Sequence, residues 1–479
     1  METLVSSSNQ FYDLSHRERC KLLLYNLHVN SELDLRRESS CLNLLAVINL
    51  GQINVSAFAQ AFGQMVAGHD NLRAHFIKVG SSFKKVILPT DKVPSLNVVH
   101  LEASNVLIQE HLRKDEDWEF ELIDSPLWMA NLYVKENSEA IFSFSVNHII
   151  TDQWSMNVLN HDLWSLYEAI LSGADVSVES GLPGAQIGNW EKEQLAIHGE
   201  SLKDYWKREL SGTLPTFYLQ QFYDPAYHHP LIQSYKEELA YECDSNGLSL
   251  NVRDFNSLVG NIHRITCYEG PVYRTVYEQS ILDSLNEVAA KLGTTFSNLL
   301  IVGYKLTLFD LTHKPDIVVG GVWDLRDSEF MNTVGWLAYN FLLRSVIDEE
   351  MILSDFIENV EHKTFEVLDH KLFRLDRILE LCDVSLEALG TTFINIFHET
   401  EEQTITDFSS AYEEENSPCF YDIDCMITRC TNGIEVKFRY KQGLFDRSFI
   451  EMLSKRYRRI LNKMMDYHYM PINEILTRG

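Results

Sequence analysis

The sequence predicts an α/β protein built as two successive halves, each with helices packed on a mixed sheet. Three observations carry this. The 479 residues exceed what one ordinary core holds. Apolar runs rich in β-branched and aromatic residues alternate with helix-period stretches, the pattern of layered α/β folds. Residues 172–188, rich in Gly and Ser with one Pro and no apolar period, interrupt that alternation, and it restarts beyond them. The expected units are therefore 1–175 and 189–479, joined by a linker over 176–188.

In chain order, residues 12–29 set Arg17, Arg19 and Lys21 beside Leu22, Leu23, Leu24 and Leu27, a helix with one apolar face. Leu44–Leu50 reads as a strand. Asn54 is a suitable cap for a helix over 55–68, with Phe58, Phe62, Met65 and Val66 on its buried side. Residues 69–76 turn into a strand, and Trp128–Val134 and Ile141–Val146 read as neighbouring strands joined by the turn 135–138. A helix then runs from about Trp154 to Leu171. In the second half, helices are expected over 189–211, 281–291, 296–310, 353–369 and 446–466, and strands over 273–280, 317–322, 340–346, 391–397, 421–428 and 433–440. The acidic stretch 399–417 reads as a loop.

The formal net charge is −28, from 41 basic and 69 acidic residues. A general nucleic-acid binder needs a net basic face, so that class is excluded; the basic run Lys455–Arg459 reads as a solvated helix face. The eight cysteines are scattered without Cys-x-x-Cys spacing, as expected of a reducing compartment. The N-terminal residues lack a basic stretch followed by an apolar core, and no apolar run reaches the roughly 20 residues needed to span a bilayer. A cytoplasmic monomer without a membrane segment is expected. There is no Gly-x-Gly-x-x-Gly, P-loop, Gly-x-Ser-x-Gly or His-Glu-x-x-His. His228-His229 are adjacent, and His362 and His370 lack carboxylates to complete a cage, so no metal site is expected.

The chemistry concentrates in 141–155. The buried run Ile141–Val146 ends in Asn147-His148, and Asp152 follows four residues later. This places an imidazole where a buried strand emerges and a carboxylate just past the turn. His-x-x-x-Asp alone is a common spacing; the order of the other landmarks makes it informative. Tyr12–Arg19 resembles Ser-x-x-Gln-x-Arg, without the Gln. In 69–76, Leu72, Arg73 and Phe76 are in register with Arg-His-Glu-x-Leu-Arg-x-x-Phe. Phe120-Glu121-Leu122 followed by Ser125-Pro126-Leu127 is similar to Phe-Asp-Leu…Pro-Leu. Asn147–Ser155 matches His-His-x-x-x-Asp-Gly-x-Ser, Tyr205-Trp206 to Leu210 matches Tyr-Trp-x-x-x-Leu, and Val334–Asn340 with Arg344 resembles Ile-Gly-x-Phe-Val-Asn-Thr…Arg. Together, over nearly the whole chain, they resemble the condensation domains of nonribosomal peptide synthetases.

The resemblance implies two chloramphenicol-acetyltransferase-like subdomains in a V-shaped pseudo-dimer with a central tunnel. It implies carrier proteins as partners, whose phosphopantetheine arms bring substrates to His148, and no bound cofactor. The reaction implied is attack of an amine, less often a hydroxyl, on a donor acyl thioester; a small-molecule amine or alcohol is a possible acceptor. His148 is the residue to which the family assigns the chemistry. With a pKa near 6.5 an imidazole can take a proton from the nucleophile or hold it by a hydrogen bond. Asp152 reads as structural, since a buried carboxylate needs a cation, and the resemblance names Arg326 as its partner in pinning the loop that aims His148. Asn340 matches an active-site wall residue, or else caps a strand end. Ser155 reads as a helix cap, and Trp154 as core or tunnel wall. Two positions depart from the motif: Asn147 replaces the first His, a chiefly structural position, and Gln153 replaces a Gly that leaves room beside the His. His148 argues against a heterocyclisation branch, and Ser155-Met156 against an epimerase. With no adenylation or carrier domain in the chain, a free-standing condensation enzyme is expected. The alternatives are a catalytically silent docking module and a CoA-dependent acyltransferase, although the latter's late Asp-Phe-Gly-Trp-Gly is missing.

Overall fold

The computed structural model describes residues 10–30, 43–80, 82–101, 105–116, 118–178, 181–215, 219–222, 270–324, 326–382, 392–398, 419, 421–430 and 432–478. The His228-His229 pair, the acidic stretch 399–417, and Cys41, Cys243 and Cys267 lie outside the described residues.

The first half opens with β1 (Phe11–Tyr12) and α1 (His16–Asn30), followed by β2 (Asn43–Gln52) and α2 (Val55–Gly68). Asn54 caps α2, its side chain accepting from the Ala57 N–H. A hairpin, β3 (Ala74–Val79) and β4 (Ser82–Ile87), forms a three-stranded sheet with β1. Then come β5 (Asn97–Leu101), α3 (Asn105–Glu116), β6 (Trp128–Lys135), β7 (Glu139–Asn147) and α4 (Gln153–Ser172). The main sheet has the order β2-β7-β6-β5, antiparallel except for the parallel β5–β6 pair. Alternation on β7 decides its faces. Phe142, Phe144 and Val146 join Phe58, Phe62 and Met65 of α2 and Leu159, Leu163 and Leu166 of α4 in one core. α3 covers the other face through Ile108 and Leu112, packed with Tyr133.

The second half contains α5 (Ile187–Glu209), β8 (Val272–Glu278), α6 (Gln279–Leu292), α7 (Phe296–Thr312), β9 (Asp316–Asp324) and β10 (Ala338–Val346). It continues with α8 (Leu353–Asp369), α9 (Leu375–Cys382), β11 (Thr392–His398), β12 (Ile423–Cys430), β13 (Gly433–Tyr440), α10 (Arg447–Tyr467) and α11 (Ile472–Thr477). Its six strands run β10-β9-β11-β12-β13-β8. α7 is apolar nearly all round and sits inside this core. A Cβ on its Gly303 would lie 2.6 Å from Leu461 Cδ2, so α7 and α10 approach too closely for a larger residue.

The first large core draws on residues 22–167 with Val334, the second on residues 202–475. Between them, residues 181–188 of the stretch read as a linker are bonded to both halves. Asp70 accepts from the Gly184 and Ala185 N–H groups at 2.8 and 3.0 Å, and Thr333 Oγ1 donates to the Leu182 carbonyl at 2.8 Å. A Cβ on Gly184 would collide with the Val334 carbonyl, which explains a Gly in so polar a seam.

Candidate active site

β7 delivers its last residue, Asn147, into a turn. The Asn147 carboxamide is fully buried; its Oδ1 accepts from the Ile149 N–H at 3.0 Å and its Nδ2 donates to Asn43 Oδ1 at 3.0 Å. Asn147 therefore ties the turn to the edge strand β2, and the side chains of Ile149 and Ile150 sink into the core beneath.

At the far end of the turn Asp152, not Ser155, is the N-cap of α4. Both are good capping residues. Ser155 lies three residues into the helix: its N–H donates to Asp152 Oδ1 at 2.9 Å, and its hydroxyl donates to the same oxygen at 2.7 Å. Arg326 meets this carboxylate in a fork, Nη1 to Oδ2 at 2.8 Å and Nη2 to Oδ1 at 3.0 Å. The same guanidinium donates to Asp324 Oδ1, the Ser155 hydroxyl and the Thr333 and Gly335 carbonyls. Leu337 N–H donates to Asp152 Oδ2 at 2.8 Å. Burial alone would raise the carboxyl's pKa, but Arg326 and these N–H donors overcome it and hold Asp152 below its ordinary value.

His148 sits at the crest of the turn, half-buried. Its ring packs against Trp336 with centroids 4.5 Å apart. Nδ1 is buried and makes no hydrogen bond of good geometry. Burial depresses the imidazole's pKa; Asp152 and the residue's own carbonyl oppose this, whereas Arg17 and Lys21 reinforce it. The net shift favours the neutral imidazole, the form that can accept a proton.

Asn340, on β10, bridges rather than caps. Its Nδ2 donates to the Tyr421 hydroxyl at 2.8 Å and its Oδ1 accepts from Arg17 Nη2 at 3.3 Å. Gln153 is exposed at the first residue of α4. Trp154, expected as core or tunnel wall, is not in the core: it is 40% exposed, and its Nε1 donates to the Met331 carbonyl of the second half. The structure thus brings Asn147, His148, Asp152, Ser155, Arg326 and Asn340 to one seam, with Gln153 and Trp154 on its outer side. Sequence reasoning misses Arg17 and Trp336 as site residues. Arg17 reads there only as part of a polar helix face, although the motif match over Tyr12–Arg19 marks that turn. Elsewhere, the basic run of α10 is paired: Arg456 and Arg459 share Asp310, and Arg458 meets Glu278. His370 stacks on Tyr205 at 3.7 Å.

The family model described as "Condensation domain" matches residues 33–255 and 264–478. The chain belongs to the condensation-domain family. It is 20% identical over 444 residues to bacitracin synthase 1 of Bacillus licheniformis, an alignment covering 90% of this chain and 8% of that protein. The chain thus spans a small fraction of the curated relatives it matches. Its fold is shared with the condensation domain of the monacolin K polyketide synthase MokA, with TM-score 0.71, 11% identity, and 97% and 99% of the two chains covered. It is shared equally with the X-domain solved in complex with OxyB from teicoplanin biosynthesis, with TM-score 0.69, 18% identity, and 99% and 98% covered. A condensation domain of nonribosomal-peptide-synthetase type, mixed α/β in fold, thus carries the turn described above.

Proposed function

We propose that this condensation domain is catalytically active and joins an acyl group, carried as a thioester on a carrier protein's phosphopantetheine, to an amine or hydroxyl acceptor. The observation that carries the reading is the geometry of His148, an imidazole held at a seam by a turn that Asp152 and Arg326 lock from behind. The acceptor's nitrogen or oxygen attacks the thioester carbonyl and loses its proton to, or is held by, the imidazole; the C–S bond breaks and the thiolate leaves with a proton. Asn147, Asp152, Ser155 and Arg326 are positioning residues, and none needs to touch substrate. The reaction requires no resident cofactor. Asn340, Gln153 and Trp154 are the proposed substrate-facing groups.

The test is a product assay by intact-mass spectrometry, with a carrier protein loaded with a panel of acyl thioesters and mixed with amines and alcohols. Turnover is expected, and His148→Ala should lower it about 100- to 10,000-fold, the usual worth of a positioned acid–base group. Trp336 covers one face of His148, an arrangement that also suits a domain that only recruits. Carrier binding without turnover across the panel would overturn catalysis in favour of recruitment.

A further inference from the structure

The first turn of α1 is bonded to both halves of the molecule, and one of its partners is a buried acid from the second half. Within α1, Ser15 and Glu18 form a capping box: the Ser15 hydroxyl accepts from the Glu18 N–H, and Glu18 Oε2 accepts from the Ser15 N–H at 2.8 Å. Glu18 Oε1 meets the fully buried Lys85 at 2.5 Å. The next N–H, that of His16, donates to Glu191 Oε2 at 2.9 Å. Glu191 lies on α5, which packs directly on this corner: a Cβ on Gly188, a turn earlier, would collide with the Asp13 carbonyl. The Glu191 side chain is buried, and its Oε1 has no hydrogen-bond partner among the described residues. A carboxylate offers about four acceptor sites, so an ionised Glu191 is poorly served by one N–H. Burial pushes its pKa up to about 7; the His16 N–H, Arg374 and Arg17 oppose the rise, and Glu18 adds to it.

We infer that Glu191 is a positioning residue, a proton-dependent clasp that holds the first turn of α1 to the second half while its carboxyl is neutral and releases it when the carboxyl ionises. The protonated group keeps its carbonyl oxygen as an acceptor for the His16 N–H, so the bond survives protonation. The ionised group finds in water the donors that the seam does not supply. A carboxyl whose pKa is raised where it is seated binds its proton more tightly there than in water. The seated form is therefore favoured below the raised value and loses ground as pH climbs through it. What the clasp positions is a cation beside the candidate base: the Arg17 guanidinium lies 5.0 Å from the Trp336 ring centre, and Trp336 packs on His148. Arg17 lowers the proton affinity of His148, so release of α1 alters the imidazole. The consequence for turnover rests on the condensation reading; the clasp does not. The charged groups acting on Glu191 are Arg374, just before α9, and Arg17 and Glu18 of α1, the latter paired with Lys85 of β4. The remaining titratable groups of these elements are the His16 ring, bonded to the Cys20 thiol at 3.2 Å, Asp13 with Lys84 and Lys192, and Tyr339 of β10, packed with Ile187 of α5.

Hydrogen–deuterium exchange with fragmentation to single amides tests this in the full chain, each rate being divided by the intrinsic rate at that pH. Protection of the His16 amide should fall about tenfold between pH 7 and 8.5, as for loss of one linked proton. The Phe144 amide, in β7, should stay protected throughout and report that the fold is intact. Glu191→Gln, the neutral isostere, should keep His16 protected with no such fall, and Glu191→Ala should leave it weakly protected at every pH. His16 and His148 carry titratable imidazoles too, and Glu191→Gln leaves both in place. A fall that persists in Glu191→Gln would therefore assign the effect to them and overturn the inference. Constant protection in the unaltered protein, or full protection in Glu191→Ala, would overturn it as well. Exchange needs no turnover, so the clasp stands or falls separately from catalysis. Where turnover is present, kcat/KM should decline above pH 7 and decline less in Glu191→Gln, a change in pH profile that a purely structural contact would not produce.

Discussion

Two arginines cross the seam between the halves, and they do different work. Arg326 is buried with Asp152, meets that carboxylate in a fork, and spends its remaining N–H groups on a second carboxylate, a hydroxyl and two carbonyls. Arg17 is half-exposed, rests on two aromatic rings, and makes a long hydrogen bond to Asn340. The first is matched to an anion 174 residues away, in an environment where an unpaired charge is expensive. The second lies against the ring that covers the candidate base. The two guanidiniums on this seam are therefore distinguished by burial and by the kind of group each is seen to touch.

The sharpest break of this comparison is Arg326→Met. It leaves Asp152 as an unpaired buried charge, so unfolding in urea should show a loss of about 3–5 kcal/mol, together with loss of turnover. Arg17→Gln should cost less in the same measurement, because a half-exposed guanidinium is screened by water and its loss leaves no buried carboxylate behind like that of Asp152. Equal losses in the two proteins would erase the distinction. Next in size is Ser155→Ala, which removes a hydroxyl bonded to Asp152, Arg326 and the Gly335 backbone. About 1–3 kcal/mol should be lost, with the Asp152–Arg326 pair still formed.

The smallest effects lie in pH dependence, and they separate the two ends of the turn. Asp152 has a folded pKa below its unfolded value. Its contribution is present above about pH 4 and is lost as pH falls through the folded value. His148 is also depressed; the unfolded chain takes up its proton first, so stability falls as pH drops below about 6.5. In His148→Gln the stability–pH curve should flatten just below pH 6.5 and keep its steep acid limb under pH 4. An unchanged curve between pH 5 and 6.5 would mean that burial does not hold the imidazole neutral.

Much of this is legible in the sequence where local pattern decides the outcome. The helix 55–68 with its Asn54 cap, the helix 353–369 and the strand 433–440 appear with the expected bounds. Each has a clear apolar period or a cap residue at its edge. Strands β4 and β5 and helix α3 are not among the expected elements. β4 carries Lys84 and Lys85, and α3 is largely polar with few apolar positions, so neither shows the alternation that announces a buried element. The cap of α4 goes to Asp152 because a tertiary partner, Arg326, holds that side chain in place, a preference that local spacing does not encode. Trp154 reads as core or tunnel wall by residue type, and its bond to the Met331 carbonyl across the seam excludes the first. Arg17 lies 323 residues from Asn340; a helix-surface arginine becomes a site residue only once distant segments meet.

The lock on the His148 turn also fixes an order of events during synthesis. Asp152 and Arg326 are 174 residues apart. At about 5–20 residues per second, the ribosome adds Arg326 roughly ten to thirty-five seconds after Asp152. For that interval the carboxylate lacks this guanidinium, and the first sheet can assemble while the His148 turn is still unset. The finished turn therefore arrives late on the nascent chain, when the segment after β9 brings Arg326 to a partner made long before.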